Sequence, residues 1–147
     1  MITAVRFSRF EFSDEELNAS GLDISGDEVR ISFYSKGAVL PVHFHGKNVL
    51  MPWGNRTLKE IPRTGGCKIE SLKAGKWQWL RPREAYILAS CALVGGVWFQ
   101  VRQGIEAVVV RDKAGVDHCY PLIRPSTHYF KIMTGSELMP ALINQIL

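Results

Sequence analysis

Short β-prone segments, each closed by glycine or proline, follow one another along almost the whole chain, and this punctuation restricts the fold more than any other feature. Residues 6–12, 28–34, 39–44, 68–72, 76–80, 85–89, 97–103 and 107–111 alternate apolar and polar side chains or concentrate β-branched ones, which is the pattern of strands. Gly37, Pro52-Trp53-Gly54, Gly65-Gly66, Gly75, Gly95-Gly96 and Gly115 separate them. Val108-Val109-Val110 reads as a strand buried on both faces, and Asp112-Lys113-Ala114-Gly115 as a turn into a further strand over 116–122. Helix is scarce. Ser13 with Glu16 three residues on forms a capping box for a short helix through about Ala19. A second short helix is expected near 127–133, and 141–147 is compatible with strand or helix. There is no internal repeat, low-complexity tract or linker. At 147 residues the expectation is one α+β, β-rich domain spanning 1–147, a bent sheet or barrel with a few short helices.

Charge is segregated along this framework. Residues 47–83 carry nine basic side chains (Lys47, Arg56, Lys59, Arg63, Lys68, Lys73, Lys76, Arg81, Arg83) against two acids, Glu60 and Glu70. Seven of the fourteen acids precede Arg30. Three of the four tryptophans, Trp53, Trp77 and Trp79, fall inside the basic stretch. Basic side chains neutralise phosphates and release counterions, and aromatic faces stack unpaired bases. The competing explanation is that the tryptophans fill the core while the lysines solvate one side of a sheet. A net charge of +4 favours anionic partners. No apolar run has the ~20 residues of a membrane helix, and no secretory signal is expected at the start. Cys67, Cys91 and Cys119 are odd in number and lack framework spacing, which points to reduced thiols in a cytoplasmic protein.

Candidate chemistry is sparse. His43 and His45 would share one face of a strand and, with Cys67, His118 or Cys119, could form a tetrahedral zinc site. The chain has no Cys-x-x-Cys pair and no His-Glu-x-x-His helix, so no metal is assigned. Cys91 sits in an apolar setting that suits an inert thiol. Cys67 precedes Lys68, which would lower a thiol pKa, so Cys67 is the candidate nucleophile. Glu70, the acid in an otherwise basic segment, is the candidate acid/base group or simply a partner for a lysine. No phosphate-binding glycine loop is present, and no cofactor is expected.

Several short motifs, in order, resemble the SOS response-associated peptidase (SRAP) family. Ser8-Arg9-Phe10 with Glu15-Glu16-Leu17 is similar to the family's opening Cys-Gly-Arg-Phe and Glu-Glu-Leu, and Met51-Pro52-Trp53-Gly54 to its Trp-Gly turn. Residues 66–71, Gly-Cys-Lys-Ile-Glu-Ser, resemble its Asn-Ala-Arg-x-Glu-Thr segment. Leu88-Ala89 and Val97-Trp98-Phe99-Gln100-Val101 resemble its central strand, and Ser136-Glu137-Leu138-Met139-Pro140 its closing His-Asp-Arg-Met-Pro. The resemblance implies a compact β-rich fold that binds single-stranded DNA and captures abasic sites. It also implies that the capture chemistry is lost. The family's nucleophile is a cysteine at position two, where this chain has Ile2, and in the register set by Arg9-Phe10 it falls on Phe7. Its asparagine, glutamate and histidine fall on Gly66, Gln100 (or Phe99) and Ser136, none of which can ionise as an acid or base at working pH.

The reading that follows is non-covalent binding of single-stranded or damaged DNA. Arg9, Arg56, Lys68 and Arg81 would contact phosphates, and Trp53 would stack a base or lie beneath the groove. Two alternatives stand beside it. One is a rebuilt cysteine-dependent enzyme centred on Cys67 and Glu70, assisted by His43, His45 or His118. The other is a protein-interaction module from a phage or other mobile element.

Overall fold

A computed structural model describes residues 1–145; of the 141–147 segment, Ile146 and Leu147 lie outside the described residues. The fold is α+β and strand-rich. The strands are β1 Ile2–Ser8, β2 Glu28–Ser32, β3 Val39–Phe44, β4 Lys47–Pro52, β5 Cys67–Lys68, β6 Arg83–Ile87, β7 Cys91–Val94, β8 Val97–Gln100, β9 Ile105–Arg111, β10 Asp117–Pro125 and β11 Leu138–Pro140. The helices are α1 Asp14–Ala19, α2 Ile69–Lys73 and α3 His128–Thr134, with 3-10 turns at Arg9–Glu11 and Gln78–Leu80.

The strands form two sheets. The smaller is antiparallel, in the order β2-β1-β7-β8. The larger runs β11-β10-β9-β6-β3-β4, with β5 added parallel to β10 at Leu122 and Ile123. A single parallel bridge between Trp53 and Cys119 brings the β4 end back towards β10. The larger sheet is therefore bent, and of the two shapes expected, the closed barrel is not formed.

Alternation along the strands builds the core on both faces of the larger sheet. Ala107 and Val109 join Val5, Phe7, Val29, Ile31, Leu40, Val42, Ile87 and Ala92 in one cluster fed by both sheets. Val108 and Val110 point the other way, into a second cluster with Ile61, Cys67, Trp77, Tyr120 and Leu122. That second face is covered by the long excursion between β4 and β6, residues 53–82, which also carries seven of the nine basic residues of the 47–83 stretch.

Local signals explain much of this. Ser13 accepts from the Glu16 amide while the Glu16 carboxylate takes the Ser13 amide, so α1 opens on a complete capping box. Thr127 caps α3 by accepting from the Phe130 amide, and Gly135 ends it in the left-handed region. Two tight hairpins were not anticipated. His45 and Gly46 both take positive φ between β3 and β4, and Gly95 and Gly96 do the same between β7 and β8. Such two-residue turns match the right-handed twist of the strands they join.

Two expected strands are not strands. Residues 68–72 give only the two-residue β5 followed by α2, and 76–80 is a 3-10 turn. The apolar spacing there is three, not two: Ile69 and Leu72 reach the second cluster together, as do Trp77 and Leu80. Glu70 in the first turn of α2 and Lys73 in the last suit the helix dipole. β1 also starts earlier than expected, at Ile2, and gives way at Arg9 to a turn capped by Ser8.

Candidate functional site

The 53–82 excursion sorts its side chains by polarity. Trp53 and Trp77 turn inward. Trp53 is 2% exposed, and its indole donates to the Gly65 carbonyl at 2.9 Å. Trp77 meets Tyr120 edge-on at 4.9 Å, and the Tyr120 hydroxyl donates to the Pro62 carbonyl at 2.8 Å, tying the excursion to β10. Trp79, in contrast, is 70% exposed. Arg56, Lys59, Arg63, Lys68, Lys73, Lys76 and Arg81 are all exposed along the same segment, with Lys47 at the β3–β4 turn. Among the described residues none of these eight cations forms an ion pair. Arg83 differs: it is held by Asp117 at 2.6 Å and lies over the Phe44 ring.

Beside the excursion lies a cleft of about 580 Å³. One wall is the loop from Tyr34 to Ala38 and the other the segment from Pro52 to Leu58, with Trp53 and His118 at its base. Asn55 makes the second wall rigid. Its amide donates to the carbonyls of Leu58 (2.8 Å) and Ile61 (3.0 Å), and its carbonyl accepts from the amides of Thr57 and Leu58. Arg56 spans the gap, donating to Phe33 and Ser35 carbonyls at 3.4 Å and lying over the Phe33 ring. Lys36 and the exposed Tyr34 complete the rim.

His118 anchors the base. Its Nδ1 donates to the Gly54 carbonyl and its Nε2 meets the Asp112 carboxylate, both at 2.8 Å. Asp112 also accepts from the amides of Ala114 and Val116. The His118 hydrogen bond, followed by the turn amides, holds the Asp112 carboxyl below the ordinary carboxylate range. The imidazole thus joins the start of the excursion to the β9–β10 turn.

The sequence-predicted residues fare unequally. Arg56, Lys68 and Arg81 are exposed, with Arg81 in the left-handed region at the end of the second 3-10 turn. Arg9 is committed elsewhere: it pairs with Asp14 at 3.1 Å and donates to the Ile24 carbonyl, bracing the loop around α1. Trp53 lies beneath the cleft with no open face for a base. Cys67 is buried and donates to its neighbour's carbonyl, and burial pushes its thiol up to about 12, far from a thiolate at neutral pH. Glu70 is exposed on α2 while Cys67 points into the second cluster, so the two do not form a catalytic pair. His43 stacks on Tyr86 and bonds to Asn48, and no group of three or more His, Cys, Asp or Glu able to hold a metal occurs among the described residues.

Of the positions carried over from the family resemblance, Ser136 lies against the residue before Ile2. The Met1 amine donates to Ser136 Oγ at 3.4 Å, and burial lowers that amine's pKa. Ile2 pairs with Val94 at the turn end of the β7–β8 hairpin. Gln100 lies at the other end of that hairpin, about 10 Å along the strand at ~3.3 Å per residue. Phe99, the alternative position, is buried edge-on to Phe130. Gly66 is buried beside Pro121 and Ile123.

Reading the sequence missed Trp79 as the open aromatic and missed the Tyr34–Lys36 rim. The neighbourhood of Trp79 carried the hint, since Lys76 and Arg81 flank it. No family model matches this chain, and no curated protein or solved structure matches it either. No helix among the described residues is long and apolar enough to cross a membrane.

Proposed function

We propose that this chain is a SRAP-like domain that holds single-stranded or damaged DNA without covalent capture, using the exposed face of the 53–82 excursion and the cleft beside it. The carrying observation is that eight cations, Lys47 to Arg81, are exposed without ion pairs on or next to the segment that also exposes the Trp79 indole. Unpaired cations lose no carboxylate partner when a phosphate arrives, and each one engaged releases condensed counterions. Trp79 supplies the sequence-tolerant stacking surface that binders of single strands use. Ile2 and Ser136, at the positions of the family's nucleophile and histidine, carry neither a thiol nor an imidazole. The three unpaired thiols fit a reducing compartment, the cytoplasm.

The test is titration of a labelled single-stranded oligonucleotide at several salt concentrations. Affinity should fall with a log–log slope of about −0.7 per phosphate neutralised. Absence of binding at the lowest salt sinks the proposal. Incubation with an abasic oligonucleotide should give no denaturation-resistant shifted band, and such a band would show that covalent chemistry has been rebuilt.

A second reading, a protein-interaction module of a mobile element, is favoured by one feature. Tyr129 and Ile132 are 59% and 70% exposed, one turn apart on α3. A partner retained at high salt, with no DNA affinity at low salt, would favour it.

A further inference from the structure

The outer face of the smaller sheet holds a second cationic feature, outside the basic stretch. Arg6 on β1 pairs directly opposite Arg30 on β2. Like charges in that register oppose each other and weaken the strand pair. Among the described residues neither guanidinium makes a hydrogen bond or ion pair, and the Arg6 Nε is buried without a partner. Both guanidiniums instead gather on one indole: their central carbons lie 4.2 Å (Arg6) and 5.3 Å (Arg30) from the Trp98 ring centroid. The nearest acid in register, Glu28 opposite Ser8, is engaged by the Ser90 hydroxyl.

A buried donor left unsatisfied is costly, and so are two unneutralised guanidiniums side by side. One added group would relieve the second cost: an oxyanion accepting from the accessible terminal nitrogens of both forks beside the indole. Guanidinium donors match the oxygens of phosphate in geometry as well as charge. We propose that Arg6, Arg30 and Trp98 form a phosphate-binding platform on the smaller sheet. This platform does not depend on the excursion face. Its ligand is a phosphate group, whether free or in a nucleic-acid backbone.

The sheet carries its own reporter. Cys91 pairs with Arg6 in register and is half-exposed, whereas Cys67 and Cys119 are buried, so a thiol reagent reads Cys91. Labelling is followed with inorganic phosphate and, separately, with a short single-stranded oligonucleotide, at ionic strength held constant with chloride. Phosphate should slow the labelling, and Arg30→Gln should weaken that protection about tenfold or more, the usual scale for a lost charge-assisted hydrogen bond. Arg30→Lys, which keeps the charge and loses the fork, should fall between. The thermal midpoint of Arg30→Gln should not drop, because a like-charge pair is removed. Protection by the oligonucleotide alone would assign the site to backbone phosphate. Protection by neither ligand, or equal protection of the parent protein and Arg30→Gln, would overturn the platform. Trp79→Ala should leave Cys91 protection by phosphate unchanged, so failure of the excursion face and failure of the platform are told apart.

Discussion

At the scale of single residues, two tryptophans in one segment have opposite environments and opposite expected phenotypes. Trp53 has lost its surface to the core and its N–H to Gly65. Trp53→Ala should cost about 3–5 kcal/mol of stability, the range for a buried large aromatic. Affinity of the remaining folded protein for single strands should change little. Trp79→Ala should do the reverse, leaving the denaturation midpoint nearly intact and costing about 1–3 kcal/mol of single-strand binding. Measuring midpoint and affinity for both variants checks the assignment. The carboxylates give a pH prediction. His118 and the turn amides depress Asp112. Burial pushes Asp117 up, but hydrogen bonds from Arg111 and Arg83 outweigh it, and Asp117 too sits below its ordinary value. A depressed carboxylate contributes stability above its unfolded pKa, about 3.9, and that contribution fades as pH falls through the folded value. Unfolding free energy should therefore decline below roughly pH 4. In Asp112→Asn the decline should be shallower, starting from lower stability at neutral pH. An equally steep acid limb in that variant would remove Asp112 from the account.

At the scale of elements, the legible pieces were those written by a few neighbouring residues. α1 was legible because Ser13 and Glu16 cap each other, and β2 because its alternation of exposed and buried residues is clean. α2 was not, since a five-residue helix offers too short a window to tell a spacing of three from a spacing of two. The β7–β8 turn was seen only as punctuation, although two consecutive glycines are a hairpin signal. Its geometry supports a test. A Cβ on Gly95 would come within 2.1 Å of the Thr134 carbonyl, while one on Gly96 would meet nothing within 4 Å. Both glycines have positive φ, so either alanine pays the left-handed backbone cost of about 1–2 kcal/mol. Gly95→Ala should exceed that cost because α3 must move, and chemical denaturation of the two variants side by side measures the difference. Equal losses would mean that the hairpin is not seated on α3.

At the scale of the whole molecule, the segregation of charge was readable from residue order, because exposed lysines need no tertiary contact to be exposed. Which aromatic stays open was not readable. Trp53 is buried by its bridge to Cys119, 66 positions later in the sequence, and nothing local foretells that. Arg9 was a partial exception, since Asp14 lay only five positions away. The order of strands carries one more consequence. β1 is interior to its sheet, and its neighbour β7 begins only at Cys91. During synthesis the opening strand therefore emerges long before one of its two partners exists, and must wait with an edge unpaired. Loop-closure entropy makes such distant pairing slow. β1 is thus exposed to association with other strands while the intervening residues are made, and the yield in a cell should depend on how long the ribosome takes to deliver residues 91–94.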